Sequence, residues 1–204
     1  MSLADRLRLF EPMLDDLMST FGVDPDPGLE DDDDPVSAAY RRCEVKRLRL
    51  GRACEADPEG VGRHADALLR AIVHDHCPSG DRQLVEPLAA VLGGQEVTER
   101  VLDRLERGPA VERLGAAMAY YWSSMSRHDP PGEEARAAYE TRYRHACLRA
   151  FVASDDPADS LYFSFHFTLD PAGYPDALRG EVEAATRIAR AHPDRYRGGE
   201  ATGS

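Results

Sequence analysis

The chain reads as an all-α protein built from antiparallel helix pairs, and three features predict it. From Val36 onward, apolar residues recur at helical spacing through nearly every segment between breakers. The breakers are short Gly, Pro and Asp clusters, the lengths that join neighbouring helices. A single window, SLYFSFHFTL (160–169), alternates like a strand, and no second such run exists to pair with it. An isolated strand leaves its backbone hydrogen bonds unmade, so a buried helix is expected there.

The elements follow in chain order. Leu3, Leu7, Phe10, Leu14, Leu17 and Phe21 give residues 1–21 an amphipathic helical pattern, which Pro12 is expected to kink or split. Residues 22–35 (GVDPDPGLEDDDDP) hold three prolines and seven acids without apolar periodicity, and read as a solvated linker. Five consecutive acids there lack the spacing of a calcium loop. A helical domain over 36–192 is expected next, followed by a flexible tail, 193–204.

Within that domain one stripe holds Ala39, Tyr40, Cys43, Val45 and Leu48. His64, Ala65, Leu68, Leu69, Ile72 and Val73 make the next, stopped by Cys77-Pro78-Ser79-Gly80. Asp81 has the right chemistry to cap a helix carrying Leu84, Val85, Leu88 and Leu92, with Pro87 inside it. Val97, Val101, Leu102 and Leu105 share one face of a helix that Gly108 is expected to end in a left-handed conformation. Pro109 suits the first turn of its successor, whose face is Val111, Leu114, Met118 and Tyr121. Gly115, Ala116 and Ala117 allow close backbone approach. Further helices are expected over 133–152 and 174–192, and Tyr162, Phe163, Phe165 and Phe167 are expected in the interior.

Composition limits function. The 204 residues are 42% hydrophobic and 30% charged, with no run of the roughly 18 apolar residues a membrane helix needs. The N-terminal segment carries Asp5, Glu11, Asp15 and Asp16 where a secretory signal needs an apolar core, so a cytoplasmic location is expected. Four widely spaced cysteines without a C-x-x-C pair read as buried thiols. A net charge of −12 opposes phosphate-backbone binding and makes nucleic acid a poor partner. Lys46 is the only lysine, and the abundance of Arg, Ala, Gly and Asp has the look of a GC-rich coding bias.

VLDRLERGPAVERLGAAMAYYW (101–122) resembles a HEAT-type repeat. Leu102 and Leu105 stand for the first-helix stripe, Gly108-Pro109 for the turn, and Arg113 with Ala116-Ala117 for the second-helix signature. Weaker echoes occur at HADALLRAIV, LVEPLAAVLGG and RHACLRAFVASDDPADSL. The resemblance implies a short right-handed superhelix of antiparallel helix pairs; an irregular helical bundle is the alternative. It also implies a non-catalytic scaffold that binds a protein partner, as adaptor, regulator or immunity-like bacterial module, with no cofactor. Trp122, Tyr120 and Arg113 are the expected partner-binding residues, since amphipathic aromatics concentrate at binding hot spots.

A second reading starts from HDHCPSGD (74–81). ALLRAIVHD resembles the HD-type metal phosphohydrolases, in which a His-Asp pair ends an apolar helix. That likeness implies a metal held by His74 and Asp75 with His64, although His64 lies closer in sequence than the pattern wants. The bland alternative is a set of polar residues closing a helix at its C-terminal end. A DNA-alkylation-recognising HEAT-like protein is a third option, which the acidity opposes. No nucleophile elbow and no phosphate-cradling glycine loop is present.

Overall fold

The computed structural model describes residues 2–29, 34–75, 77 and 80–197, and among them every regular element is helical. Asp-Pro dipeptides start three of the helices. Asp34 caps α2 (Pro35–Ala56), Asp57 caps α3 (Pro58–Arg63) and Asp156 caps α9 (Pro157–Ser164); each carboxylate accepts from backbone N–H groups of the first turn. Each following proline sits where its missing N–H costs nothing. A fourth such pair, Asp170-Pro171, opens the 3-10 turn Pro171–Gly173. Ser2 caps α1 (Leu3–Thr20), accepting from the Asp5 N–H at 3.2 Å.

Helix α1 runs through Pro12 without splitting. Burial of Leu7, Phe10, Leu14, Leu17 and Met18 outweighs the roughly 3 kcal/mol that an interior proline costs. These side chains join the single core cluster that extends through the chain. Residues 23–29 form no regular element, and Arg49 anchors them by donating to the carbonyls of Asp26 and Pro27. Most of the acid run read as a solvated linker, Glu30–Asp33, lies outside the described residues.

The remaining helices are α4 (Ala65–His74), α5 (Arg82–Leu92), α6 (Gly94–Arg107), α7 (Ala110–Ser124), α8 (Glu133–Ala153) and α10 (Arg179–Ala191). α10 is preceded by a second 3-10 turn, Asp176–Leu178. Helices α1, α4 and α7 lie side by side; α2, α5, α6 and α8 form a second layer, with α9 and α10 against α8. α6 and α7 form a tight hairpin, as the Gly108-Pro109 junction predicts.

The details of that hairpin differ from expectation. Gly108 is extended (φ −67°, ψ 164°) rather than left-handed. A Cβ there would lie 2.4 Å from the Arg104 carbonyl oxygen, so crowding, not a positive φ, explains the glycine. Gly115 faces α4: a Cβ would fall 2.1 Å from the Val73 carbonyl oxygen. The small residues of α7 therefore admit α4 as well as α6.

Asp81 does not cap α5. Its side chain turns inward, fully buried, beside Asp75 and Arg47. Arg47 donates to both Asp75 oxygens, at 2.9 and 3.2 Å, and to Gln83. Asp75 also accepts the Cys77 backbone N–H at 3.0 Å. Arg47 thus pairs with Asp75, while both Asp81 oxygens are buried nearby without a hydrogen-bond partner. Desolvation first, then repulsion from Asp75, pushes the Asp81 carboxyl well above the ordinary carboxylate range against the pull of Arg47. Desolvation raises the Asp75 carboxyl as well, against the pull of Arg47 and the Cys77 N–H.

All four cysteines are buried and free of disulfides, as expected from their spacing. No helix is long and apolar enough to cross a membrane among the described residues.

Two predictions follow from this packing. Gly→Ala within a helix ordinarily stabilises by about 1 kcal/mol. Gly115→Ala should instead destabilise by about 2 kcal/mol or more, because α7 must move off the Val73 carbonyl; unchanged urea unfolding would contradict the contact. The folded chain also holds a proton on Asp81 that the unfolded chain releases near the ordinary carboxylate value, 3.8. Stability from this group is therefore present at low pH and falls as pH rises through and above that range. The slope approaches about 1.4 kcal/mol per pH unit, until the raised folded value is passed. Asp81→Asn removes this dependence, so its stability relative to the parent should rise as pH climbs above the ordinary carboxylate value, 3.8. Parallel stability–pH curves would disprove the assignment.

Candidate functional site

Helix α7 decides what is exposed. Glu112, Ala116, Ala119, Tyr120 and Ser123 face the protein interior. The stripe that shares one face of the helix, Val111, Leu114, Met118 and Tyr121, is buried only at Leu114 and climbs to the surface beyond it. Tyr121 is 59% exposed and Met125, one turn on, is 62% exposed. Because α4 and α6 occupy the small-residue faces of α7, the large apolar stripe is left outside.

That stripe borders a cavity of about 420 Å³ between α7, α8 and the end of α9. Arg136, Glu140 and Tyr143 reach it from α8 at i, i+4 and i+7, one helix face. Tyr162 comes from α9, and His166 from the turn two residues past its end.

The wall is a set of interlocked rings. Tyr120 and Tyr143 stack with centroids 4.0 Å apart and planes at 11°. His166 meets Tyr143 edge-on at 5.1 Å and Tyr162 at 5.1 Å, tilted by 53°. The Tyr143 hydroxyl donates to the Ala117 carbonyl at 3.1 Å, which fixes the stack to α7.

Burial raises the Tyr120 and Tyr162 hydroxyls to about 12 and Tyr143 well above its ordinary value, so all three are neutral. Burial lowers His166 from the usual imidazole value and keeps it uncharged at neutral pH. Arg136 and Glu140, exposed at the mouth, are of opposite sign. Two polar groups are unused. The Tyr120 hydroxyl is buried without a hydrogen-bond partner, and no protein group among the described residues bonds the His166 ring nitrogens. Ser124 donates to the Tyr121 carbonyl and is tied to its own helix.

The residues singled out in the sequence separate. Tyr120 is in the cavity wall. Trp122 is half-buried, lies edge-on to Tyr121 at 5.0 Å, and has the Arg82 guanidinium 5.6 Å from its ring centroid, toward α5. Arg113 donates to the Gly108 carbonyl at 3.0 Å, closing its own hairpin. Phe163 and Phe167 are interior as expected, whereas Phe165 is 60% exposed and Tyr162 is half-buried. Tyr143, Tyr162 and His166 were not expected at a site. The i, i+4, i+7 alignment of Arg136, Glu140 and Tyr143 was a sequence signal for one wall.

The His74–Asp75 cluster is differently built. The Asp75 carboxylate is engaged by Arg47, His74 Nδ1 pairs with the Arg70 carbonyl, and the Tyr40 hydroxyl lies 3.1 Å from Cys77 Sγ. Free space beside them is about 10 Å³, room for about one water. His64 lies at the opposite end of α4, roughly 15 Å away along a ten-residue helix, too far to join a metal shell with His74. Among the described residues no three His, Cys, Asp or Glu side chains are grouped to hold an ion; His76 lies outside them. A more open trough of about 730 Å³ along α10 presents Arg179, Arg187 and Arg190, with Glu183 among them.

No protein-family model matches the chain, and neither a curated protein nor a solved structure shows significant similarity to it.

Proposed function

We propose that the protein is a non-catalytic helical scaffold of the HEAT-like helix-pair type, and that it binds a protein partner at the α7–α8–α9 cavity. The observation that carries this reading is the rim. Tyr121 and Met125 expose more than half their surface beside a pocket walled by four aromatic or imidazole rings. Large apolar side chains around a concave site are the pattern of an interaction surface. The tyrosine, histidine and serine side chains at the cavity are held neutral or tied to backbone, which suits recognition better than proton transfer. The partner inserts an aromatic side chain and surrounds it with basic residues, because the chain's net charge of −12 steers cations toward it. The same charge disfavours nucleic acid.

Panning a random peptide display library on the purified protein tests this. The expected outcome is enrichment of peptides with an aromatic anchor and flanking Arg or Lys. Their affinity should fall about tenfold or more, roughly 1.4 kcal/mol, on Tyr121→Ala/Met125→Ala. Thermal stability should stay near that of the parent, since both side chains are exposed. Failure to enrich, or peptides indifferent to the double substitution, would refute the docking site.

A further inference from the structure

The cavity walls specify more than a greasy plug. We infer that the occupant is a planar aromatic side chain bearing its own hydrogen-bonding atom, a tyrosine or a tryptophan of the partner, and that His166 is the residue that reads that atom. This rests on the reading of the cavity as the partner's docking point.

Shape and surface come first. The wall offers a parallel ring pair, Tyr120 on Tyr143, and rings set edge-on or tilted to it, Tyr162 and His166. Ring faces are negative and ring edges positive, so a flat aromatic finds matching faces and edges where an aliphatic side chain does not. At about 420 Å³ the space falls in the size range of sites that enclose a compact group, with room for a bicyclic ring and its adjoining backbone.

Charge comes second. Tyr120, Tyr143 and Tyr162 keep their protons, and His166 is uncharged. The charged groups of the cavity lining, Arg136 and Glu140, are of opposite sign and exposed at the mouth. Nothing in the wall compensates a buried ion, so the inserted group is neutral.

Unmade hydrogen bonds decide between the neutral aromatics. A neutral imidazole has one donor and one acceptor, and no protein group among the described residues bonds either of those of His166. The Tyr120 hydroxyl is buried and unpaired. A phenylalanine entering the cavity would expel water from His166 and give nothing back. Sites with buried polar groups reject ligands that lack the matching atom. A phenol hydroxyl can donate to or accept from His166, and an indole N–H can donate to it.

The experiment uses three probes, p-cresol, 3-methylindole and toluene, titrated into the isotopically labelled full chain and followed by NMR. Toluene is the most hydrophobic per unit size, so burial alone would favour it over p-cresol. The expected result is displacement of signals from Tyr121, Tyr143 and His166, with p-cresol and 3-methylindole at least fivefold tighter than toluene. His166→Phe keeps a ring and removes the nitrogens; it should bring p-cresol to toluene's level while toluene itself changes less than twofold. The parent protein's ranking stands as a test even where that variant misfolds. Toluene binding in the cavity as tightly as p-cresol, or a preference that survives His166→Phe, overturns the role of His166 and leaves the docking site intact. Probes that shift signals only away from the cavity overturn both, as does an absence of shifts from all three.

Discussion

The contact of Gly115 with the Val73 carbonyl governs how α7 sits, and much else depends on how α7 sits. With no side chain at 115, α7 approaches the end of α4 at backbone distance. Successive residues on a helix are about 100° apart, so fixing one face fixes the rest. Gly115 and Ala116 turned inward carry Ala119 and Tyr120 inward with them, one turn on. Tyr121 and Met125 are then turned out. The stacked Tyr120–Tyr143 pair and the exposed rim beside it both follow from that rotation.

Charge does the complementary work of holding the layers in register. Glu11 of α1 takes Arg42 and Lys46 of α2, and Lys46 also meets Asp15. Arg6 pairs with Asp159, tying α1 to α9 across 153 residues of chain. Arg47 joins α2 to the α4–α5 connection through Asp75 and Gln83. A Cβ on Gly80 would lie within 2.1 Å of that guanidinium, so the glycine makes room for the ion. Such buried pairs add little net stability once desolvation is counted, but removing one partner leaves an uncompensated charge. They act here as constraints on which helix faces which.

Local patterns made the helices legible, and rotation kept the site hidden. The stripes at 65–74 and 94–107 show one clear apolar face, and the structure places helices there. α3 is too short for a periodic signal, and only the Asp57-Pro58 pair marks it. Helix α8 buries residues against several neighbours, so no single stripe reveals its role. Asp81 had the right chemistry for a cap, but its burial beside Arg47 and Asp75 is a tertiary fact no local rule contains. Of three consecutive aromatics, spacing alone put Tyr121 inside; the small residues that admit α4 reversed the choice. The cavity needs Tyr120, Tyr143 and His166 together, and only the folded chain brings those separations to a few ångströms.

The two stretches that differ most between sequence and structure do so for one reason. HDHCPSGD gathers residue types that hold metals and move protons, yet three of its described members are bound to the frame, Asp75 to Arg47, His74 to Arg70 and Cys77 against Tyr40, and a fourth, Asp81, is sealed from solvent. The aromatic window around 162–167 looks like filler, yet it supplies an imidazole whose nitrogens no protein group among the described residues bonds. Residue type sets what a side chain can do, but only unspent hydrogen-bonding capacity beside open space is available to a ligand. By that measure His74 and Asp75 are already committed, and His166 is not. The ranking of chemical interest along this chain therefore inverts once partners are assigned, and the place to look for a ligand is the ring-lined cavity.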